Sequence, residues 1–313
     1  MSTPEQLEIG IVGLGQMGGN MARGLLEKGF TVTGSDISED ARAQFEEYGG
    51  TPVETPAEAS ENADIIVTSL PKSQIVESVY LGEDGILSTA KEGTVALEMS
   101  TINPETSEKV AAEAKEQGVE FLASPVSGGP EDCHAGTLTI MVGGDEDVFH
   151  RNGVQTVLDA MSQKLYHVGD VGAGPTVKLI NNVMSHSNML IAMEAVALGR
   201  DRGVEGDVML DVIGNAGGGS NQFKKRMPRV LNRNFDPGFT VDLTTKDLGI
   251  ALDMADSSDY PMYVVNLVRN LYQTASARGL GSEDFSSVVK LYEEHTNSIV
   301  DAPYEVDESF GGY

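Results

Sequence analysis

Leu7-Glu8-Ile9-Gly10-Ile11-Val12 runs into Gly13-Leu14-Gly15-Gln16-Met17-Gly18, and the segment Asn20 to Lys28 follows with Met21, Leu25 and Leu26 at helical spacing. A short apolar run stopped by glycines reads as a strand, and the 3–4 spacing after it reads as a helix. A G-x-G-x-x-G between the two stands in the context a dinucleotide-binding turn requires. Gly13 permits the tight turn, Gly15 lets the backbone approach a pyrophosphate, and Gly18 allows close helix–strand packing. Gln16 and Met17 open the helix, whose free N–H groups face the anion. With 36 glycines in the chain, such a match alone decides little. Asp36 decides more: it follows a second strand, Thr31-Val32-Thr33, and lies 18 residues beyond Gly18. An acid about 20 residues on binds the ribose 2′-hydroxyl and would repel a 2′-phosphate, so the expected cofactor is NAD in preference to NADP.

Working outward, strand and helix alternate through the first half. Residues 63–70, 94–99, 119–122, 137–142 and 165–168 read as further strands, most of them continuous apolar runs of the kind buried on both faces. This predicts an α/β Rossmann domain over residues 1–168, a doubly wound and mostly parallel sheet. After Gly169 the pattern changes. Gly172-Ala173-Gly174-Pro175 breaks the chain, and Pro175 suits the first turn of a helix. A long connecting helix is expected over about 175–202, with Val177, Ile180, Met184, Ile191 and Ala195 on its buried stripe. Helical periodicity continues through 204–214, 243–256, 261–278 and 284–297. Residues 169–297 therefore read as an all-α domain for substrate and oligomerisation. Residues 298–313, with Asp301, Glu305, Asp307 and Glu308 and a Phe-Gly-Gly-Tyr end, read as a solvated acidic tail.

Composition excludes several functions. Of 313 residues, 48 are Asp or Glu and 21 are Lys or Arg, a net charge of −27. Phosphate recognition needs clustered basic residues, so nucleic acid is not an expected partner, and neither is an anionic membrane surface. No uncharged apolar run approaches the ~20 residues that span a bilayer. The N-terminus lacks the basic and apolar regions of a signal peptide, and a single cysteine, Cys133, forms no internal disulfide. The expected location is cytoplasmic. Five histidines without paired ligand spacing argue against a metal site. Like charges repel in a compact chain and salt screens them, so a halophilic, salt-rich setting fits this charge.

Lys178 is the most informative single residue. It falls at the start of the long helix, where the dipole opposes an ammonium and burial would lower its pKa further. A lysine tuned toward neutrality exchanges protons in catalysis. Taken alone, a lysine is more often a solvated surface residue. Asn182 stands four residues on, on the same helix face, and can bind a substrate oxygen. Ser127, Gly128 and Gly129 end a strand of the sheet, where open α/β sheets bind ligands. The Ser127 hydroxyl and the N–H groups after it suit a carboxylate, although Ser, Gly and Pro also make plain turns. Lys246-Asp247 lies between two predicted helices, within reach of an anionic substrate or the cofactor. Lys224, Lys225, Arg226, Arg229 and Arg233 form the one basic cluster, read as a solvated helix face.

Four separated pieces resemble one family, the β-hydroxyacid dehydrogenases. They are Gly-Leu-Gly-Gln-Met-Gly-Gly-Asn-Met-Ala at 13–22, Ser-Pro-Val-Ser-Gly-Gly at 124–129 with Gly-Thr-Leu at 136–138, Gly-Ala-Gly-Pro-Thr-Val-Lys-Leu-Ile-Asn-Asn at 172–182, and Lys-Asp-Leu-Gly-Ile-Ala at 246–251. The resemblance implies Lys178 as proton donor or acceptor, and Ser127, Gly128 and Asn182 as substrate ligands. It implies Gly13, Gly15, Gln16, Met17 and Gly18 around the pyrophosphate. It sets Leu70, Pro71 and Thr101 around the adenosine and nicotinamide ends, and Lys246 near the nicotinamide. It also implies a homodimer or homotetramer, and interconversion of a small 3-hydroxy acid and its semialdehyde in the manner of 3-hydroxyisobutyrate dehydrogenase. Tartronate semialdehyde reductase is an alternative, favoured by Arg233-Asn234-Phe235-Asp236-Pro237-Gly238-Phe239. A 6-phosphogluconate dehydrogenase is disfavoured by Asn181, where those enzymes usually carry His. A non-catalytic dinucleotide reader is disfavoured because it would typically lose the lysine.

Overall fold

The computed structural model describes residues 3–296, 298–302 and 305–307. Met1, Ser2, Glu308 and the terminal Phe-Gly-Gly-Tyr of the sequence reading lie outside these. Two compact units divide between Lys178 and Leu179.

The first unit is built on a sheet of nine strands among the described residues: β1 (Glu8–Val12), β2 (Thr31–Ser35), β3 (Thr51–Val53), β4 (Ile65–Thr68), β5 (Val95–Glu98), β6 (Glu120–Ala123), β7 (Val126–Ser127), β8 (Leu138–Gly143) and β9 (Ser162–Gly169). Their order is β3-β2-β1-β4-β5-β6-β8-β7, with β9 also paired to β8. From β3 to β6 every pairing is parallel. β8 runs antiparallel to β6 and β7, and β9 parallel to β8. β4 and β5 are buried along their whole length. Their side chains alternate between two cores: Ile65, Val67, Val95 and Leu97 on one face, Ile66 and Ala96 on the other. That is the period-two consequence of helices covering both faces. The sequence reading leaves out β3, three residues containing Pro52 at the sheet edge, and the two-residue β7. Strands this short carry too little periodicity to stand out. Chain order reverses between β1 and β4, the switch point beyond whose carboxyl ends such sheets bind ligands.

The second unit is helical. Past the long helix Ala173–Asp201 come Gly206–Gly214, Asn221–Leu231, Val241–Asp256 and Tyr263–Ala275, then the short Val289–Glu293. Met193, Phe223, Met227, Leu248, Tyr272 and Phe285 fill its core. Three expectations need correction here. The long helix starts at Ala173, so Lys178 stands in its second turn. Its buried row is Leu179, Met189, Leu190, Met193, Val196 and Ala197 with the polar Lys178, Asn182 and His186, while Val177, Ile180, Met184, Ile191 and Ala195 are exposed. Apolar side chains stand on both faces of this helix, so helical spacing fits either face. Nor do the described residues 298–302 and 305–307 of the expected acidic tail all face solvent. Val300 is fully buried, Ala302 N–H donates to the Leu231 carbonyl, and the Asn232 amide exchanges two hydrogen bonds with the Val306 backbone at 2.7 and 2.8 Å. Acidic composition hid the few apolar residues that dock this strap.

Candidate active site

The glycine-rich turn takes the form its sequence requires. Gly13 has φ +93°, and a Cβ there would lie 2.3 Å from the Ser69 carbonyl oxygen at the end of β4. A Cβ on Gly18 would lie 1.9 Å from the Gly13 oxygen. Both positions are closed to side chains by the protein itself. Gly15 differs: its backbone is ordinary at φ −67°, and nothing lies within 4 Å of an added Cβ. Neither strain nor packing demands glycine there, which is what a position kept clear for a ligand looks like. The helix begins at Gln16 with Gly15 as its N-cap, so the N–H groups of Gln16, Met17 and Gly18 form the first turn. A pyrophosphate fits this cradle on the protein's own geometry.

Asp36 stands at the end of β2. One carboxylate oxygen accepts from Leu14 N–H at 2.7 Å and the other from Ser38 N–H at 2.8 Å. The acid thus braces the glycine turn, a role the sequence reading does not contain. A carboxylate has about four acceptor sites, so capacity remains for ribose hydroxyls. A cavity of about 350 Å³ beside the turn is lined by Gly15, Gln16 and Asn20 on one side and by Asp40, Gln44 and Tyr48 on the other.

The ends of β4 and β5 are tied together below Leu70, Pro71 and Thr101. Leu70 N–H donates to Ser100 Oγ at 2.8 Å, and Ser100 N–H donates to Glu98 Oε1 at 2.8 Å. Glu98 is fully buried. Sequence reasoning passes over it, yet an acid inside the apolar strand 94–99 was a visible signal.

The Ser127 loop is stapled. Gly128 has φ +147°, and Asp132 accepts from Gly129 N–H at 2.6 Å and from Thr137 Oγ1 at 3.2 Å. Gly129 therefore spends its N–H on the loop, which leaves Ser127 and Gly128 as its anion-facing candidates. The start of the long helix is seated backbone against backbone: a Cβ on Gly174 would lie 2.5 Å from the Ala123 oxygen, and one on Gly143 2.6 Å from Gly174 N. Lys178, one turn on, is only 8% exposed, against the common surface fate of lysine. Because the dipole acts mainly on the first turn, its burial now carries the argument.

In the second unit Asn182 and Asp247 are both buried. Asn182 Nδ2 donates to Asp247 Oδ2 at 2.6 Å, and Lys246 Nζ lies 3.0 Å from Asp247 Oδ1. His186, one turn beyond Asn182, stacks on Phe239 with ring centres 5.2 Å apart and meets the edge of Phe285. Of the basic cluster, Lys225 is exposed as expected, but the three arginines do not form a solvated face. Arg226 pairs with buried Asp284 at 2.6 Å, Arg229 lies 3.7 Å from the same acid, and Arg233 pairs with Glu293 at 2.6 Å. Burial of Asp284 and Glu293 draws these arginines inward, and composition could not show where those acids lie.

Residues 8–169 match the profile described as the NAD binding domain of 6-phosphogluconate dehydrogenase. Residues 172–292 match the one described as the NAD-binding of NADP-dependent 3-hydroxyisobutyrate dehydrogenase. A 2-(hydroxymethyl)glutarate dehydrogenase of Eubacterium barkeri is 39% identical over 93% of this chain and 97% of its own length. An NAD-dependent L-serine dehydrogenase of Pseudomonas aeruginosa is 34% identical over 91% of this chain and 98% of its own. The structure of Mycobacterium tuberculosis 3-hydroxyisobutyrate dehydrogenase with L-serine superposes with a TM-score of 0.85 at 30% identity, covering 91% of this chain and 98% of that one. With likeness of this extent joined to an NAD(P)-binding turn and a buried lysine, the chain belongs to the β-hydroxyacid dehydrogenase family.

Proposed function

We propose that the protein oxidises a small 3-hydroxy carboxylate of the 3-hydroxyisobutyrate type to its semialdehyde, and reduces it in reverse, with NAD preferred to NADP. The observation that carries the reading is the burial of Lys178 on a helix whose start is fixed to the sheet bearing the open cradle at Gly15. Ser127 and Gly128 N–H hold the substrate carboxylate, and Asn182 holds a group at the reacting centre. Lys178 takes the hydroxyl proton in oxidation and returns it in reduction. NAD, when bound, supplies the hydride acceptor. Gly13, Gly15, Gln16, Met17 and Gly18 would hold its pyrophosphate, Leu70, Pro71, Thr101 and Lys246 its flanks, and Asp36 its adenosine ribose. Asp36 and the nearby Asp40 would repel a 2′-phosphate.

The setting is a salt-rich cytosol, and the working form is a homodimer or homotetramer. Val177, Ile180, Met184, Asn188, Ile191, Ala195 and Leu198 form an exposed row at 3–4 spacing with no charge on it. A second equally acidic copy docks most readily where no acid stands. Changing Ile191 and Leu198 together to Glu should yield monomer by light scattering; a monomeric parent protein would refute the pairing.

The catalytic reading is tested by a panel containing 3-hydroxyisobutyrate, L-serine, 2-(hydroxymethyl)glutarate and tartronate semialdehyde, run with each cofactor in molar KCl. Turnover of at least one, with kcat/KM for NAD above that for NADP, is expected. No turnover of any member would overturn it.

A further inference from the structure

Arg42 stands one turn into the helix Glu39–Glu47, and its side chain folds back to the strand end that precedes the helix. Its backbone N–H donates to the Ser38 carbonyl at 3.1 Å, and its Nη1 donates to the Asp36 carbonyl. The Asp36 carboxylate accepts from Ser38 N–H, and Ser38 Oγ accepts from Ala41 N–H at 3.3 Å, so this short stretch is closed on itself. The guanidinium is thereby pinned, half-buried, a few covalent bonds from the Asp36 carboxylate. It forms no ion pair among the described residues, in a chain with 48 acids against 21 Lys and Arg. A guanidinium has five N–H donors in a planar fork, and the Asp36 carbonyl takes one of them. The ribose end of the dinucleotide site therefore carries both signs of charge, Asp36 and Asp40 against Arg42. A ribose with free hydroxyls offers donors to Asp36 and needs nothing from Arg42. A phosphate on the 2′-oxygen is repelled by the acids, and a guanidinium fork is the group whose geometry fits its oxygens.

We propose that Arg42 is a specificity-determining residue: its guanidinium receives a phosphate on the adenosine 2′-oxygen, so the preference for NAD is partial and depends on Asp36 outweighing Arg42. This rests on the placing of the adenosine ribose at Asp36 given above. Removing the guanidinium sharpens the preference for NAD, and removing the carboxylate reverses it. The cation that NADP needs is already held in place by the backbone of the residue that rejects it.

NAD and NADP differ only in the 2′-phosphate, so the ratio of their Kd values isolates it without turnover. Both are titrated by calorimetry into the apo protein, at the lowest KCl concentration that keeps it folded, because molar salt screens the charges being compared. Arg42→Gln keeps a donor for the Asp36 carbonyl and removes the charge. It should raise Kd for NADP by about tenfold or more, the worth of a hydrogen bond to a charged oxygen, and leave Kd for NAD within about twofold. Arg42→Lys keeps the charge and should hold NADP within about threefold of the parent. Asp36→Ser should make NADP the tighter ligand; loosening of the glycine turn weakens both cofactors alike and drops out of the ratio. Adding Arg42→Gln to Asp36→Ser should remove that advantage. Equal weakening of NAD and NADP by Arg42→Gln would show that the arginine only braces the strand end, and unchanged NADP affinity would show that it never meets the phosphate; either overturns the proposal. A parent with no measurable NADP binding overturns it as well. Should Arg42→Gln not fold, Asp36→Ser decides: NADP still the weaker ligand overturns the proposal. The two levels separate in the parent, where failure to bind NAD at all refutes the cradle itself, and normal NAD binding with an unresponsive ratio refutes Arg42 alone.

Discussion

Gly15→Ala should leave the protein folded and cripple its hold on NAD. The added methyl meets nothing within 4 Å, and the backbone at φ −67° accepts alanine without strain. Alanine is a poorer N-cap than glycine by a few tenths to about 1 kcal/mol. It also recovers ~0.4–1 kcal/mol by restricting the unfolded chain. The two nearly cancel, so the apo melting temperature should move by no more than about 2 °C. The cofactor meets a different situation. A methyl where the backbone approaches the pyrophosphate pushes the anion off the first-turn N–H groups. Losing one hydrogen bond to a charged oxygen costs ~1.5–3 kcal/mol, or roughly 10- to 150-fold in Kd. Calorimetric titration of NAD into the apo protein measures this, and thermal melts without cofactor provide the control. Gly18→Ala is the contrast: its Cβ would fall 1.9 Å from the Gly13 oxygen, so stability itself should drop, by ~1–3 kcal/mol or more. An unchanged Kd in Gly15→Ala would mean that the pyrophosphate does not lie over Gly15.

Lys178→Ala should cut kcat by ~10²–10⁴-fold with NAD affinity little changed. Lys178→Arg should not rescue it, because a guanidinium stays protonated. Steady-state kinetics with cofactor titration checks both, and parallel loss of NAD binding would move Lys178 into the cofactor site. At net charge −27, the apo melting temperature should climb between 0.1 and 2 M KCl as the Debye length shrinks from ~10 Å to a few Å; a flat response refutes the screening argument. Burial pushes the Cys133 thiol up to about 12. The thiolate is the reactive form, so native protein at pH 8 should resist a thiol reagent, label faster as pH rises toward 12, and label at once in urea. Immediate labelling without urea would contradict the buried position.

The strand–helix alternation and the glycine turn were legible because strands such as β1, β4 and β5 are self-contained apolar runs and Gly13 and Gly18 each have a steric reason. The long helix was legible in length and misread in facing. Lys178, Asn182 and His186 are polar residues on its buried side, and spacing rules assign polar residues to water. Asp247 stood in the sequence beside Lys246, but its partner is 65 positions away, and only folding supplies that contact. Glu98 was passed over although its apolar strand marked it, whereas Asp284 was unreadable as a structural anchor in a chain with 48 acids, where one carboxylate looks like another until burial separates them. Val300 and Val306, late in the chain, were outvoted by their acidic neighbours.

Gly143 and Gly174 let the long helix press its first turn directly on the sheet, and the division between units falls just after Lys178. Recombination meets this seam as a joint. A crossover between related genes placed there would pass on the nucleotide cradle, the Ser127 loop and the lysine as one inherited block. The exchanged half would bring a new Asn182 and Asp247 and a new set of helices. Shuffled progeny should therefore inherit the parental glycine cradle and buried lysine together, whichever helices follow them. For a lineage of dehydrogenases, that joint is a cheap route to new chemistry from a fixed redox engine.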